Sequence, residues 1–135
     1  MTQSILGDPP ELEVKLYDAA NAATEATIKA LRPGVNASDV FKAGMKVLKE
    51  RFKTTENPTD FLGHGIGLQT HEPPYLMADN DTTIKPGMFL AVEVWAADTP
   101  EYRVIGGFPE DNLLVTETGV ENLTGGVSRR LWVKK

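Results

Sequence analysis

Gly63-His64-Gly65-Ile66-Gly67-Leu68-Gln69-Thr70-His71-Glu72-Pro73-Pro74 holds both histidines of a 135-residue chain. Three glycines in five residues surround His64. Glycine next to a functional side chain lets backbone or ligand approach closely. Neutral imidazole is a common ligand for divalent metals. The histidines lie seven positions apart, too far for one helical turn, so the two need not bind the same ion. One can ligate while the other contacts a substrate. An isolated histidine is more often a surface or satisfied residue than a ligand. Placing both in one glycine-rich element brings the two readings level, and spacing alone goes no further.

Downstream, Met88-Phe89-Leu90-Ala91-Val92-Glu93-Val94-Trp95 is an apolar run with one carboxylate inside it, starting after the turn signal Lys85-Pro86-Gly87. Burying Glu93 is expensive unless it is paired or bound to a metal. Alternation also permits a wet-side placement, because Phe89, Ala91, Glu93 and Trp95 share one face. Tyr102–Ile105 and Asn112–Thr116 read as further strands, and Glu117-Thr118-Gly119 as a turn. Glu110 sits in Gly106-Gly107-Phe108-Pro109-Glu110-Asp111, where a carboxylate taken alone reads as solvated.

Upstream, Asp8-Pro9-Pro10-Glu11 reads as a helix start, with Asp8 as the cap. Leu12, Leu16, Ala19, Ala20, Ala23, Ala26, Ala30 and Leu31 then form one helical face. Arg32-Pro33-Gly34 ends that helix. Asn36 or Ser38 can cap a second helix, lined by Val40, Phe41, Gly44, Val47, Leu48 and Phe52 through about Lys53. Thr54–Asp60 reads as a loop. Two helices followed by several strands imply an α+β fold in a single domain, residues 1–135.

Composition narrows the function. The formal net charge of -5 and the shortness of the basic pairs Arg129-Arg130 and Lys134-Lys135 argue against nucleic-acid binding. The absence of cysteine excludes disulfides, thiolate catalysis and cysteine metal sites. No apolar run reaches the ~20 residues of a membrane span. Met1–Gly7 has no basic region followed by an apolar stretch, so no signal peptide is expected there, and the expected location is cytoplasmic.

Taken together the motifs resemble the pita-bread superfamily, which includes prolidase, aminopeptidase P, creatinase and methionine aminopeptidase. Gly63–Leu68 with His71-Glu72-Pro73 is similar to the family's histidine motif. Lys85-Pro86-Gly87-Met88 followed by Val92-Glu93 resembles its Pro-Gly-Met strand, and Glu110-Asp111 before Val115–Gly119 and Leu123-Thr124 resembles its last ligand strand. Leu31-Arg32-Pro33-Gly34 is similar to the turn between the family's two helices, and Gly7-Asp8-Pro9-Pro10 to the segment entering the first. Gly67-Leu68 and Glu72-Pro73-Pro74 favour the prolidase and aminopeptidase P side.

The resemblance implies a partial pita-bread fold, two N-terminal helices followed by an antiparallel sheet. It also implies a metal-dependent hydrolase of the Xaa-Pro peptidase type, acting on a peptide or small amide. His64 and Glu93 match metal ligands, and Glu110 matches the carboxylate that bridges two metals. His71 matches the catalytic histidine that contacts substrate and the tetrahedral intermediate, with Gly65 beside it in the substrate site. In such sites a metal pair lowers the pKa of a bridging water and clamps the attacked carbonyl. Such ligation suits manganese first, with cobalt, zinc or iron as alternatives.

The pattern breaks in one place. The family's site has two further aspartates on a hairpin before the first helix, and here Asp8 is the only aspartate in that stretch. It aligns with the loop after the hairpin. The expectation is therefore a C-terminal portion of a catalytic domain without its aspartate hairpin, weak or inactive alone. An open sheet edge should follow, with self-association or a complementary chain to cover it. Val94, where a proline often follows the ligand Glu, and Gly106–Pro109, in place of an Arg-containing approach, are smaller departures. Two other readings share the scaffold: a non-catalytic interaction module and a creatinase-like amidinohydrolase.

Overall fold

The computed structural model describes residues 4–51, 60–97, 109–125 and 132–134. Helix α1 spans Glu11–Ala30 and helix α2 spans Ala37–Arg51. Six strands accompany them: β1 (Ser4–Leu6), β2 (Gly63–Gly65), β3 (Phe89–Glu93), β4 (Glu110–Val115), β5 (Val120–Asn122) and β6 (Trp132–Lys134). Strands β2 to β5 form one antiparallel sheet in chain order, and β1 pairs with β6 in a separate parallel ribbon. The α+β arrangement of two helices followed by an antiparallel sheet is thus present. The expected strand at Tyr102–Ile105 lies outside the described residues.

Helix α1 starts two residues later than the Asp8 cap implies. Pro10 occupies the capping position with no side-chain cap, and Asp8 is exposed. Instead Glu11 pairs with Lys15 at 2.6 Å one turn on, and Lys15 holds the Glu11 carboxyl below its ordinary value. The buried stripe of α1 runs Leu16, Ala19, Ala20, Ala23 and Thr27, close to the apolar face of the sequence. Thr24 and Thr27 satisfy their buried hydroxyls by donating to the Ala20 and Ala23 carbonyls. Asn36 precedes α2, and the Ser38 hydroxyl reaches across to Asp81 at 3.2 Å rather than capping.

Strand β4 alternates half-buried and buried positions, as an antiparallel strand with one core face should. Leu113 and Val115 point to that core with Leu90 and Val92 of β3, against Leu31, Ala37, Val40, Leu76 and Ile84. A second cluster joins Leu16, Ala19, Ala20 and Ala23 of α1 to Leu48, Leu62, Val94 and Ala96. At an order of 1.5–3 kcal/mol per fully buried large aliphatic side chain, these clusters hold helices and sheet together. The turn before β3 is Lys85-Pro86-Gly87-Met88. Gly87 has φ +85, and the Met88 amide bonds the Lys85 carbonyl. Both neighbours of β3 are thereby set: β2 pairs with it in the register His64↔Ala91, and β4 in the register Glu93↔Glu110.

The outer edge of β2 is covered. The Leu62 amide donates to the Leu76 carbonyl, the Leu76 amide donates to the Gly63 carbonyl, and Gly65 and Glu72 bond each other reciprocally. Among the described residues, β5 is the strand of this sheet with a single paired side.

Candidate metal centre

Cross-strand partners point to the same face of a sheet, and each strand alternates. The registers therefore put His64, Ala91, Glu93, Glu110 and Asn112 on the face opposite the Leu90–Leu113 core. His64 and Glu93 are both buried there, at 4% and 8% exposure. The wet-side alternative for Glu93 is excluded. Glu110 is not in a turn, as its Pro/Gly surroundings suggested: it is the first residue of β4, directly opposite Glu93.

His71 reaches the same place through a narrow hairpin. The Gly65 amide donates to the Glu72 carbonyl at 2.7 Å, and the Glu72 amide returns the bond at 3.2 Å. That bridge puts residues one step away, His64 on one side and His71 on the other, on a single face as diagonal neighbours. A β-carbon at position 65 would strike the Glu72 and Pro73 carbonyls, which is why glycine stands there. The Glu72 carboxylate accepts from the Gln69 amide at 3.2 Å and closes the loop. The two imidazole centroids end up 4.2 Å apart. Seven residues, too many for a helical turn, is a natural separation across this hairpin.

The Nδ1 of His64 donates to the Gly65 carbonyl at 2.9 Å. A carbonyl can only accept, so the neutral ring keeps its lone pair on Nε2. That atom faces Glu93 Oε1 at 3.5 Å, and His71 Nε2 faces the same oxygen at 3.8 Å. His64, His71 and Glu93 each offer a ligand atom within 4.8 Å of the others. Electron-rich atoms gathered in a mostly buried pocket repel unless a cation or a proton lies between them. The donor set therefore fits a divalent metal. Glu110 lies one strand over, outside that trio.

Phe61 is the part of the site that spacing does not mark. Its ring stands edge-on to both imidazoles at 5.8 Å and tilted against Tyr75 at 5.6 Å. It walls the histidines on one side and limits their rotamers. Its position beside a polar loop hides it, since only the bridge Phe61↔Met77 brings it here. A hollow lined by Lys15, Asp18, Ala19 and Arg51 lies on the helices and includes none of these residues. Among the described residues, no helix is long and apolar enough to cross a membrane.

A helix pair packs against an antiparallel sheet, and histidine and glutamate donors that could hold a metal ion gather on the sheet's far face. The chain belongs to metallopeptidase family M24, whose model matches residues 1–117. It is 36% identical to Xaa-Pro aminopeptidase 1 of Streptomyces coelicolor over 155 residues, covering 96% of this chain and 32% of that protein. It is 28% identical to the Xaa-Pro dipeptidase of Pyrococcus furiosus, covering 89% of this chain and 33% of the relative. The fold is similar to the crystal structure of dipeptidase PepE from Mycobacterium ulcerans, with a TM-score of 0.82 and 33% identity over 95% of this chain and 33% of that one. The fold is the pita-bread fold of its structural neighbours, and the lineage is that of peptidases. The chain spans about a third of the length of the curated relatives it matches.

Proposed function

We propose that these 135 residues form one domain-sized part of a metal-dependent Xaa-Pro peptidase, carrying the histidine and glutamate half of its catalytic site. His64, Glu93 and Glu110 are its metal ligands in this reading, and His71 and Gly65 border the substrate. The observation that carries it is the lone pair of His64 Nε2 facing Glu93 Oε1 at 3.5 Å inside the fold. That pairing makes chemical sense around a cation. In this reading the two aspartates of the full ligand set come from polypeptide that this sequence does not include. With them the site is rich in oxygen, which favours manganese. A cytoplasmic setting belongs to the same proposal, to be checked by fractionation.

A bound divalent metal supplies Lewis-acid polarisation of the scissile carbonyl and a water made acidic enough to attack near neutral pH. The chain's own residues do the rest. The Gly65 carbonyl fixes the His64 tautomer, the kind of outer partner that orients ligating histidines. Glu93 and Glu110 present two carboxylates side by side at one end of the sheet. His71, half exposed on the rim, can meet a substrate carbonyl and donate a hydrogen bond as charge develops there. Phe61 and Tyr75 offer aromatic surface beside it, suited to a proline ring.

The test is a calorimetric Mn²⁺ titration of this chain beside His64→Ala. Micromolar binding lost in the variant supports the ligand assignment and leads to an assay on a proline dipeptide. No binding in the wild type would mean that the site does not assemble without the two aspartates, and the chain would then be a fragment or an interaction module on the same scaffold.

A further inference from the structure

Three donors on this chain already converge, and they are not the trio of His64, Glu93 and Glu110. His71 stands in place of Glu110. A four-coordinate zinc with bonds of about 2.0–2.1 Å keeps its donors about 3.3–3.4 Å apart, and an octahedral ion with similar bonds about 2.9 Å. The separations here are 3.5 Å from His64 Nε2 to Glu93 Oε1 and 3.8 Å from His71 Nε2 to the same oxygen. Both exceed the tetrahedral edge by less than half an ångström. They are also poor hydrogen bonds: 3.8 Å is too long for one, and the His64 ring has already given its proton to Gly65. A purely structural cluster would have closed those contacts. His71 has room to move the remaining distance, since its side chain is 49% exposed on a loop while His64 and Glu93 are locked in the sheet.

We infer that this chain by itself holds a single divalent metal through His64, His71 and Glu93, with His71 as a true ligand and one position left open. The inference rests on the reading of His64 and Glu93 as ligands and goes beyond it in the role of His71. Two imidazoles and one carboxylate suit zinc or cobalt better than manganese, because nitrogen donors and the Irving–Williams order both pull that way. A ligating His71 is also withheld from substrate.

The experiment is a Co²⁺ titration followed by visible absorption, with proton NMR of the loaded protein. It is run on the wild type, His71→Ala, His71→Gln and His64→Ala, with folding checked by circular dichroism. The expected result is one Co²⁺ per chain, an intense visible band, and two paramagnetically shifted imidazole N–H signals. His71→Ala and His71→Gln should lose one signal and at least about tenfold in affinity, since even outer-shell changes reach that range. His64→Ala should lose the site. Zn²⁺ should displace Co²⁺, and equimolar Mn²⁺ should not. If the wild type shows a single shifted imidazole signal, and both His71 variants keep that signal and the affinity while His64→Ala abolishes binding, His71 is no ligand, yet His64 stands. If the wild type binds no Co²⁺, or His64→Ala binds as well as it does, the ligand reading itself fails and takes this inference with it.

Discussion

Replacing Gly65 by alanine tests the hairpin that brings the two histidines to one face. The new β-carbon meets the Pro73 carbonyl oxygen and carbon and the Glu72 carbonyl oxygen, all backbone atoms that no rotamer change can clear. Overpacking of this kind costs about 1–3 kcal/mol. The only relief is to open the Gly65–Glu72 bridge, whose two backbone bonds of 2.7 and 3.2 Å are worth about 1 kcal/mol each. Because opening the bridge relieves the clash, the two costs overlap, and the expected loss is about 2–4 kcal/mol. With an unfolding entropy of about 2.1 cal/mol/K per residue, a chain of this length loses about 7–14 °C in Tm. Urea unfolding by circular dichroism measures it. Two controls separate sterics from a general intolerance of glycine replacement. Gly67→Ala meets only the end of the Glu72 side chain, which can rotate away, so it should cost less than about 1 kcal/mol. Gly119→Ala enters open space and should stay within about 0.5 kcal/mol of wild type. A Gly65→Ala protein as stable as wild type, or less affected than Gly67→Ala, would refute the close approach and with it the placement of His71.

Other outcomes follow from the same structure. Leu113→Ala removes a fully buried side chain from the core between sheet and helices and should cost about 2–5 kcal/mol in urea unfolding. Thr124→Val should cost about 1–3 kcal/mol by the same assay. The Thr124 hydroxyl donates to buried Asp111 at 2.9 Å and accepts from the Asn112 amide at 3.1 Å, so both would lose a partner. Zinc at about 100 times its dissociation constant should stabilise the fold by about 2.7 kcal/mol, read as a rise in Tm that His64→Ala abolishes. Glu93→Gln should leave the metal-free fold at least as stable as wild type while erasing the zinc-induced rise. It removes a buried charge that has no hydrogen-bonded partner on either imidazole.

How much of this was legible in the sequence depends on the range over which each signal acts. The face of α1 follows from apolar spacing, because a helix sorts its side chains within a few residues. The strand β3 follows from an apolar run after Lys85-Pro86-Gly87, because a turn is decided by four residues. The helix start at Glu11 was missed by two residues, since Pro10 suits that position and no side-chain cap is made. Pro109 and the glycines before it read as a turn, which would start strand β4 only after Glu110. The ladder with β3 overrides that local preference by pairing Glu93 with Glu110. Tertiary pairing decided what composition could not.

The same logic separates what the histidines reveal from what they hide. His64 and His71 stood out because both lie in one glycine-rich element, yet their spacing left open whether they serve one ion or two. What brings the two rings to one face is the reciprocal pair of bonds between Gly65 and Glu72, which no periodicity encodes. The burial of Glu93 likewise depends on which face of β3 meets the hairpin, and that is fixed by the register His64↔Ala91. Ala91 matters here because it is small. Flanked across the ladder by His64 and Asn112, it is fully buried on the face that carries the histidines. In the proposed reading the chemistry of the site is carried by His64, His71 and Glu93, and the hairpin that aligns the two histidines depends on Gly65, which has no side chain at all.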